Sequence, residues 1–169
     1  MAYQMTVDGM AEISELLTQM EEQAPAVAAR ALYEGAGVMA DEIRKGAETI
    51  KTAPFDWASK TKGETRLPSP EEKEIVTAAA AGIAKFNKNG TEVDTSVGFR
   101  NAGYAELKGK MVPIPVIVNA INSGTSFMKK QPFVRRSAKT ATPKAMEAMR
   151  KKIAEEFEAI GKTYMASTK

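Results

Sequence analysis

Residues 143–161, PKAMEAMRKKIAEEFEAIG, decide how the rest of the chain is read. Met146, Met149, Ile153, Phe157 and Ile160 recur at steps of three, four, four and three, which stacks them on one face of an α-helix, while lysine and glutamate fill the opposite face. The pattern predicts a closing helix beyond Pro143 that ends at Gly161, with its methionines as ordinary core residues. A helix with one apolar stripe has to bury it against another element, so the partner must lie upstream.

The first such partner is a long helix opening at Pro25. Proline suits a first helical turn, and Ala28, Leu32, Ala36, Met39 and Ile43 then share one face, with Arg30, Glu34, Asp41 and Arg44 elsewhere. Gly35 and Gly37 lie inside it; each costs up to about 1 kcal/mol relative to alanine, so a strand or a neighbouring subunit approaching closely is the expected reason for them. Ahead of it, Tyr3 to Val7 reads as a short strand, and Asp8 can cap a short helix carrying Met10, Ile13, Leu17 and Met20.

From about Glu48 to Pro68 periodicity disappears and Pro, Gly, Thr and Lys accumulate, which predicts a long surface loop. Its aromatic pair, Phe55 and Trp57, has two readings: an anchor for a partner, or a small satellite cluster folded back on the domain. Ser69-Pro70-Glu71-Glu72 is a strong helix start, with serine as N-cap and glutamate three residues on. The helix it opens is expected to carry Ile75, Ala79, Ile83 and Phe86 and to stop at the turn cluster Asn87-Lys88-Asn89-Gly90. Val93, Val97 and Phe99 then alternate with polar residues, as in a half-buried strand. After a glycine-containing turn between Gly103 and Lys110, VPIPVIVNAI at 112–121 fits either an edge strand or a strand running into a helical turn, because Pro113 and Pro115 forbid a central strand. The expected class is α+β: a small antiparallel sheet packed by the long helix of the N-terminal half and by the C-terminal helix, in one domain spanning 1–169 with a loop and inserted helix at about 48–90.

Composition narrows the chemistry. The 169 residues suit one core, and the absence of both cysteine and histidine removes disulfides, thiol nucleophiles, the commonest metal ligands and the usual general base. No metal or cofactor site is expected. The 24 basic and 21 acidic residues, giving +3 and a pI near 9.0, are too balanced for a dedicated nucleic-acid binder. No stretch resembles a signal peptide and none is apolar enough over about 18 residues to span a bilayer, so no membrane role is expected and the protein should stay in the cytoplasm until it assembles. No phosphate loop or dinucleotide fingerprint is present, and the pairs Glu21-Glu22, Glu71-Glu72 and Glu155-Glu156 read as solvated or capping residues rather than paired catalytic carboxylates. Lys129, Lys130, Arg135 and Arg136 flank Gln131-Pro132-Phe133; such a cluster is a solvated face, a subunit contact or a sequence-independent contact with DNA.

Residues 119–138, NAINSGTSFMKKQPFVRRSA, carry a pattern of their own. Gly124-Thr125-Ser126 followed by Gln131-Pro132-Phe133 and a basic helix resembles the signature of neck and tail-completion (head–tail joining) proteins of lambda-like long-tailed bacteriophages. The order of elements is similar too. This resemblance implies a structural virion protein, not an enzyme: a subunit of a homo-oligomeric, hexameric ring at the head–tail junction or the head-proximal end of the tail, in contact with other neck and tail proteins and with DNA passing through. Where the family commonly has an acidic and an aromatic residue before the glycine, this chain has Asn122 and Ser123, so the contact made by that carboxylate does not carry over. Independently of resemblance, Gly124 permits positive φ, Thr125 or Ser126 can cap backbone donors, Pro132 stiffens the turn and Phe133 locks it onto the core. The alternative function is a non-sequence-specific nucleic-acid-binding accessory protein.

Overall fold

A computed structural model describes residues 10–54, 65–79, 81–83, 87–89, 92–99 and 102–167. The expected N-terminal strand at Tyr3 to Val7, the Asp8 cap, Phe55, Trp57 and Phe86 lie outside them. The elements are α1 (Met10–Glu48), α2 (Pro70–Ala79), β1 (Gly82–Ile83), β2 (Asn87–Asn89), β3 (Glu92–Asp94), β4 (Val97–Gly98), β5 (Tyr104–Leu107), β6 (Lys110–Pro113), α3 (Ile114–Ser123) and α4 (Phe133–Ser167). The class is α+β. Among the described residues the strands pair as three two-stranded antiparallel ladders, β1 with β4, β2 with β3 and β5 with β6.

The long helices are antiparallel neighbours. Tyr164 meets Glu15, Arg30 meets Glu156, Lys144 meets Glu42 and Ser137 lies against Gly46, in a continuous reversed order along the two helices. Their seam is built largely from small side chains: Ala31, Ala36, Ala40 and Ala47 of α1 are buried, with Val27 and Ile43 beside them, as are Ser137, Ala141 and Ala145 of α4. Small residues let two helix axes approach closely, and the apolar area they remove from water stabilises the pair by roughly 25 cal/mol per Å². This corrects two stripes read from sequence. In α1 the buried line runs through Val27 and Ala31 rather than Ala28 and Leu32, and Leu17 is exposed; in α4 Met146 and Ile153 are exposed, Met149 and Phe157 are half-buried and only Ile160 is deeply covered.

Helix boundaries move for the same reason. Pro25 lies inside α1 and Pro143 inside α4, so neither starts a helix, and Gly161 does not end one, since α4 runs on to Ser167. An interior proline costs about 3 kcal/mol in lost hydrogen bond and clash. In α4 that cost is outweighed because the helix buries residues on each side of the proline, Phe133, Ser137 and Ala141 before Pro143 and Ala145, Ile160 and Tyr164 beyond it; in α1 the described buried residues, from Val27 on, all follow Pro25. The second helix is shorter than its apolar residues suggest: α2 stops at Ala79, and Ile83 instead pairs with Val97 in the β1–β4 ladder. Asn87 to Asn89, expected as part of a turn that ends a helix, instead forms β2 opposite β3, and Gly90 lies outside the described residues. Three residues separate β1 from β2 but two separate β3 from β4, and the register steps by one between the ladders, which breaks the strand expected from Val93 to Phe99.

At 112–121 the strand-into-helix alternative holds. Pro113 ends β6 with φ −61° and ψ 127°, and Pro115 falls at the start of α3. The β5–β6 turn has positive φ at both central residues, Lys108 at 52° and Gly109 at 74°, the combination that matches the twist of a tight hairpin. The core gathers where α1 ends, α4 begins and α2, α3 and the hairpins cover them: Ile43, Ile50, Val76, Phe99, Ile121 and Phe133 are among its members. Phe99 and Phe133 meet edge to face at 6.2 Å.

Candidate functional site

The segment from Asn122 to Val134 ties four parts of the chain together. Gly124 closes α3 with φ 79° and ψ 166°, a region that only glycine occupies without strain, and its N–H donates to the Ala120 carbonyl. A Cβ there would stand 3.0–3.2 Å from Lys130 atoms, two of them backbone, so conformation and space both require glycine. Thr125 then caps the turn: its hydroxyl accepts from the Met128 N–H at 3.0 Å and its own N–H donates to the Met128 carbonyl. Ser126 is exposed and makes no comparable contact.

Gln131 is the side chain that joins this turn to the loop after α1. It is buried, donates through Nε2 to the Lys51 carbonyl at 2.8 Å and accepts the Lys51 N–H at 2.9 Å, imitating a strand pairing. Its own N–H donates to the Ile121 carbonyl. The Asn122 carboxamide oxygen accepts the Val134 N–H at 3.2 Å and so satisfies a free donor in the first turn of α4. Pro132 is half-buried, and Phe133 begins the helix inside the core.

A second pin holds residues 65–69, just before α2. Arg66 forms a parallel bridge with Met128, donating to the Phe127 carbonyl and accepting from the Lys129 N–H. Its guanidinium is bidentate to the Glu72 carboxylate, which also accepts the Ser69 N–H, while Ser69 Oγ accepts the Glu72 N–H. Burial works against the charged carboxyl, yet the hydrogen bonds from Arg66 and Ser69 outweigh it and hold Glu72 below its ordinary value. On the surface the direction is the same and the cause simpler: Lys144 hydrogen-bonds the Glu42 carboxyl, and Arg30, with Lys152, that of Glu156.

The four basic residues singled out from sequence, Lys129, Lys130, Arg135 and Arg136, are all exposed. Lys129 and Lys130 border a shallow depression of about 390 Å³ with Thr65, Ser123, Gly124, Thr125 and Met128, a lining that includes two amines and no carboxylate. Such a surface is suited to an acidic partner. A separate apolar groove of about 260 Å³ runs between α1, α4 and β4, where Leu32, Met39, Val97, Met146 and Met149 meet. Among the described residues no group of histidine, cysteine, aspartate and glutamate side chains could hold a metal ion, and no helix is long and apolar enough to cross a membrane.

Sequence reasoning located Gly124, Thr125, Gln131 and Phe133 but missed Asn122, Gly46 and Arg66. Gly46 is where α1 touches α4: an added Cβ would lie 2.0 Å from Ser137 Oγ and 3.4 Å from the Phe133 carbonyl oxygen. Gly35 likewise makes room for Met149, so the close neighbour is a helix of the same chain, whereas Gly37 faces open space. Comparison of the chain with protein-family models, with curated proteins and with solved structures found no match.

Proposed function

We propose that this chain is a structural subunit of a phage neck or tail, assembling with copies of itself into a ring that completes the tail or joins it to the head. The observation that carries the reading is the segment Gly124 to Phe133. Its resemblance to the joining-protein signature is matched by a physical role, since a glycine-only turn, a threonine cap, a buried glutamine clamp and a core phenylalanine occupy the signature positions. A turn fixed in this way holds neighbouring exposed side chains in one geometry, which an assembly surface requires. Exposed apolar residues on the same part of the chain, Tyr104, Met111, Val116 and Phe127, give that surface something to bury.

The decisive experiment is genetic. If the reading frame lies between capsid-connector and major-tail-protein genes, deleting it should yield filled heads and separate tails in electron micrographs, and supplying the gene in trans should restore joining. An isolated metabolic locus, or normal joining without the gene, overturns the reading. A second reading, sequence-independent nucleic-acid binding, is favoured by the exposure of Lys129, Lys130, Arg135 and Arg136. It predicts that duplex DNA is shifted in a gel at about 50 mM salt and released by about 200 mM; no shift at the lower salt removes it.

A further inference from the structure

Charge is segregated along this molecule. From Leu107 to Met146 the sequence holds eight lysines and arginines and no aspartate or glutamate, so with +3 overall the remainder carries −5. That basic segment forms one end of the protein: hairpin β5–β6, α3, the Gly124 turn and the first third of α4. At the other end, residues 10–29 of α1 hold four glutamates and no base, and they run beside the C-terminal part of α4, where Tyr164 donates to Glu15. The lysines of α4 in that region are taken by its own glutamates, Lys151 by Glu155, Lys152 by Glu156 and Lys162 by Glu158, which leaves the acidic charge of α1 standing.

The two ends are too far apart to neutralise each other. Ser137 at the basic end and Tyr164 at the acidic end belong to one helix, and at 1.5 Å per residue they stand about 40 Å apart, several times the screening length of roughly 8–10 Å at physiological salt. Each end also exposes an apolar side chain among its charges: Leu17 near Glu21 and Glu22, and Phe127 beside Lys129 and Lys130.

We propose that copies of this chain associate head to tail, the α1 tip of one copy, with Leu17, Glu21 and Glu22, seating on the Phe127, Lys129, Lys130 and Arg135 surface of the next. The proposal rests on the ring reading and names the two unlike faces that a ring requires. A contact between different patches can repeat from copy to copy until it closes, whereas stacking either end on its own equivalent would bring like charges together.

A zero-length carbodiimide, which joins a carboxylate to a lysine amine in direct contact, tests the faces on the full chain. Applied to mixed light- and heavy-isotope protein at about 50 mM salt, it should link Glu21 or Glu22 of one label to Lys129 or Lys130 of the other, and the links should fade by about 500 mM as screening shortens. The variants E21K/E22K and K129E/K130E/R135E should each stay monomeric where the parent assembles, and their mixture should recover masses beyond two copies in light scattering. Matching melting temperatures show that the variants fold, and the cross-links on the parent decide if they do not. Mixed-label links at other positions, in an assembling protein, overturn these faces and leave the ring reading intact. A parent that stops at two copies overturns the head-to-tail arrangement, and a monomer without mixed-label links at any concentration overturns both. If K129E/K130E/R135E abolishes binding to duplex DNA while its assembly is unchanged, the basic end belongs to nucleic acid and the proposal falls.

Discussion

At Gly124 conformation and crowding act together, since φ 79° with ψ 166° is closed to residues with a Cβ and Lys130 occupies the space a Cβ would need. Gly124→Val should therefore destabilise the protein by roughly 1–3 kcal/mol, read as a lower midpoint in chemical denaturation, and an unchanged midpoint would mean the turn is not formed this way. Glu72 is a different kind of residue, whose contribution depends on charge. Its carboxyl is held below the ordinary value of 4.5, so the folded state binds its proton less readily than the unfolded state does. The stability this gives is present above the ordinary carboxylate range and is lost as pH falls below about 4.5 toward the depressed value. Glu72→Gln should cost roughly 1–3 kcal/mol at neutral pH and flatten that acid limb, because a neutral amide cannot match the bidentate Arg66. Equal slopes for variant and parent between pH 5 and about 3 would contradict it. The cap at Ser69 and Glu72 and the glycine turn were legible because the cap joins residues three apart and the turn falls within one short stretch of sequence. The clamp from Gln131 to Lys51 was not, because nothing in either local sequence refers to a partner 80 residues away.

The helices show how far periodicity carries and where it stops. An amphipathic α4 and a long α1 were readable, and Ala36, Ile43 and Ile160 are buried as their spacing implies, yet the prolines and the glycine did not mark boundaries, and at Val27, Ala31, Ala40 and Ala145 the buried residue stands one place away from the side chain that the stripe singled out. The cause is the seam between them, which selects alanine, serine and glycine for close approach and leaves Met146 and Ile153 at the surface. Periodicity reports apolar side chains but cannot weigh small against large without knowing the distance between helices. Two glycines of α1 separate these effects. Gly37 has open space where a side chain would project, so Gly37→Ala should raise stability by up to about 1 kcal/mol through helix propensity alone. Gly46 faces Ser137 and the Phe133 carbonyl, so Gly46→Leu should lower it by roughly 1–3 kcal/mol through overpacking. Urea titrations of the two variants should move in opposite directions; a shared direction would mean that the seam does not discriminate between them.

Over the whole molecule the core is gathered at one end, where α1 finishes and α4 begins, and the exposed apolar residues of β5, β6 and α3 lie on that same end. Their exposure follows from register. Tyr104 pairs with Pro113 and Glu106 with Met111, so alternation along each strand turns Tyr104 and Met111 outward while Ala105, Leu107 and Val112 pack toward the core. Tyr104 is 67% and Met111 66% exposed, so neither contributes much to the folded subunit. Side chains of this size gain free energy only when another surface covers them, and the assembly reading supplies that surface as a second copy or a neck or tail partner. Replacing both by threonine keeps strand propensity and removes most of the apolar area. The double variant Tyr104→Thr/Met111→Thr should melt within about 0.5 kcal/mol of the parent, as surface changes do. Self-association, measured by sedimentation across a dilution series, should weaken by about tenfold or more, the effect of losing roughly 1.4 kcal/mol at a contact. A large drop in melting temperature would place these residues in the subunit's own packing. Unchanged association with unchanged melting would leave the hairpin face outside the assembly surface and confine the contact to the turn and the basic helix start beyond it.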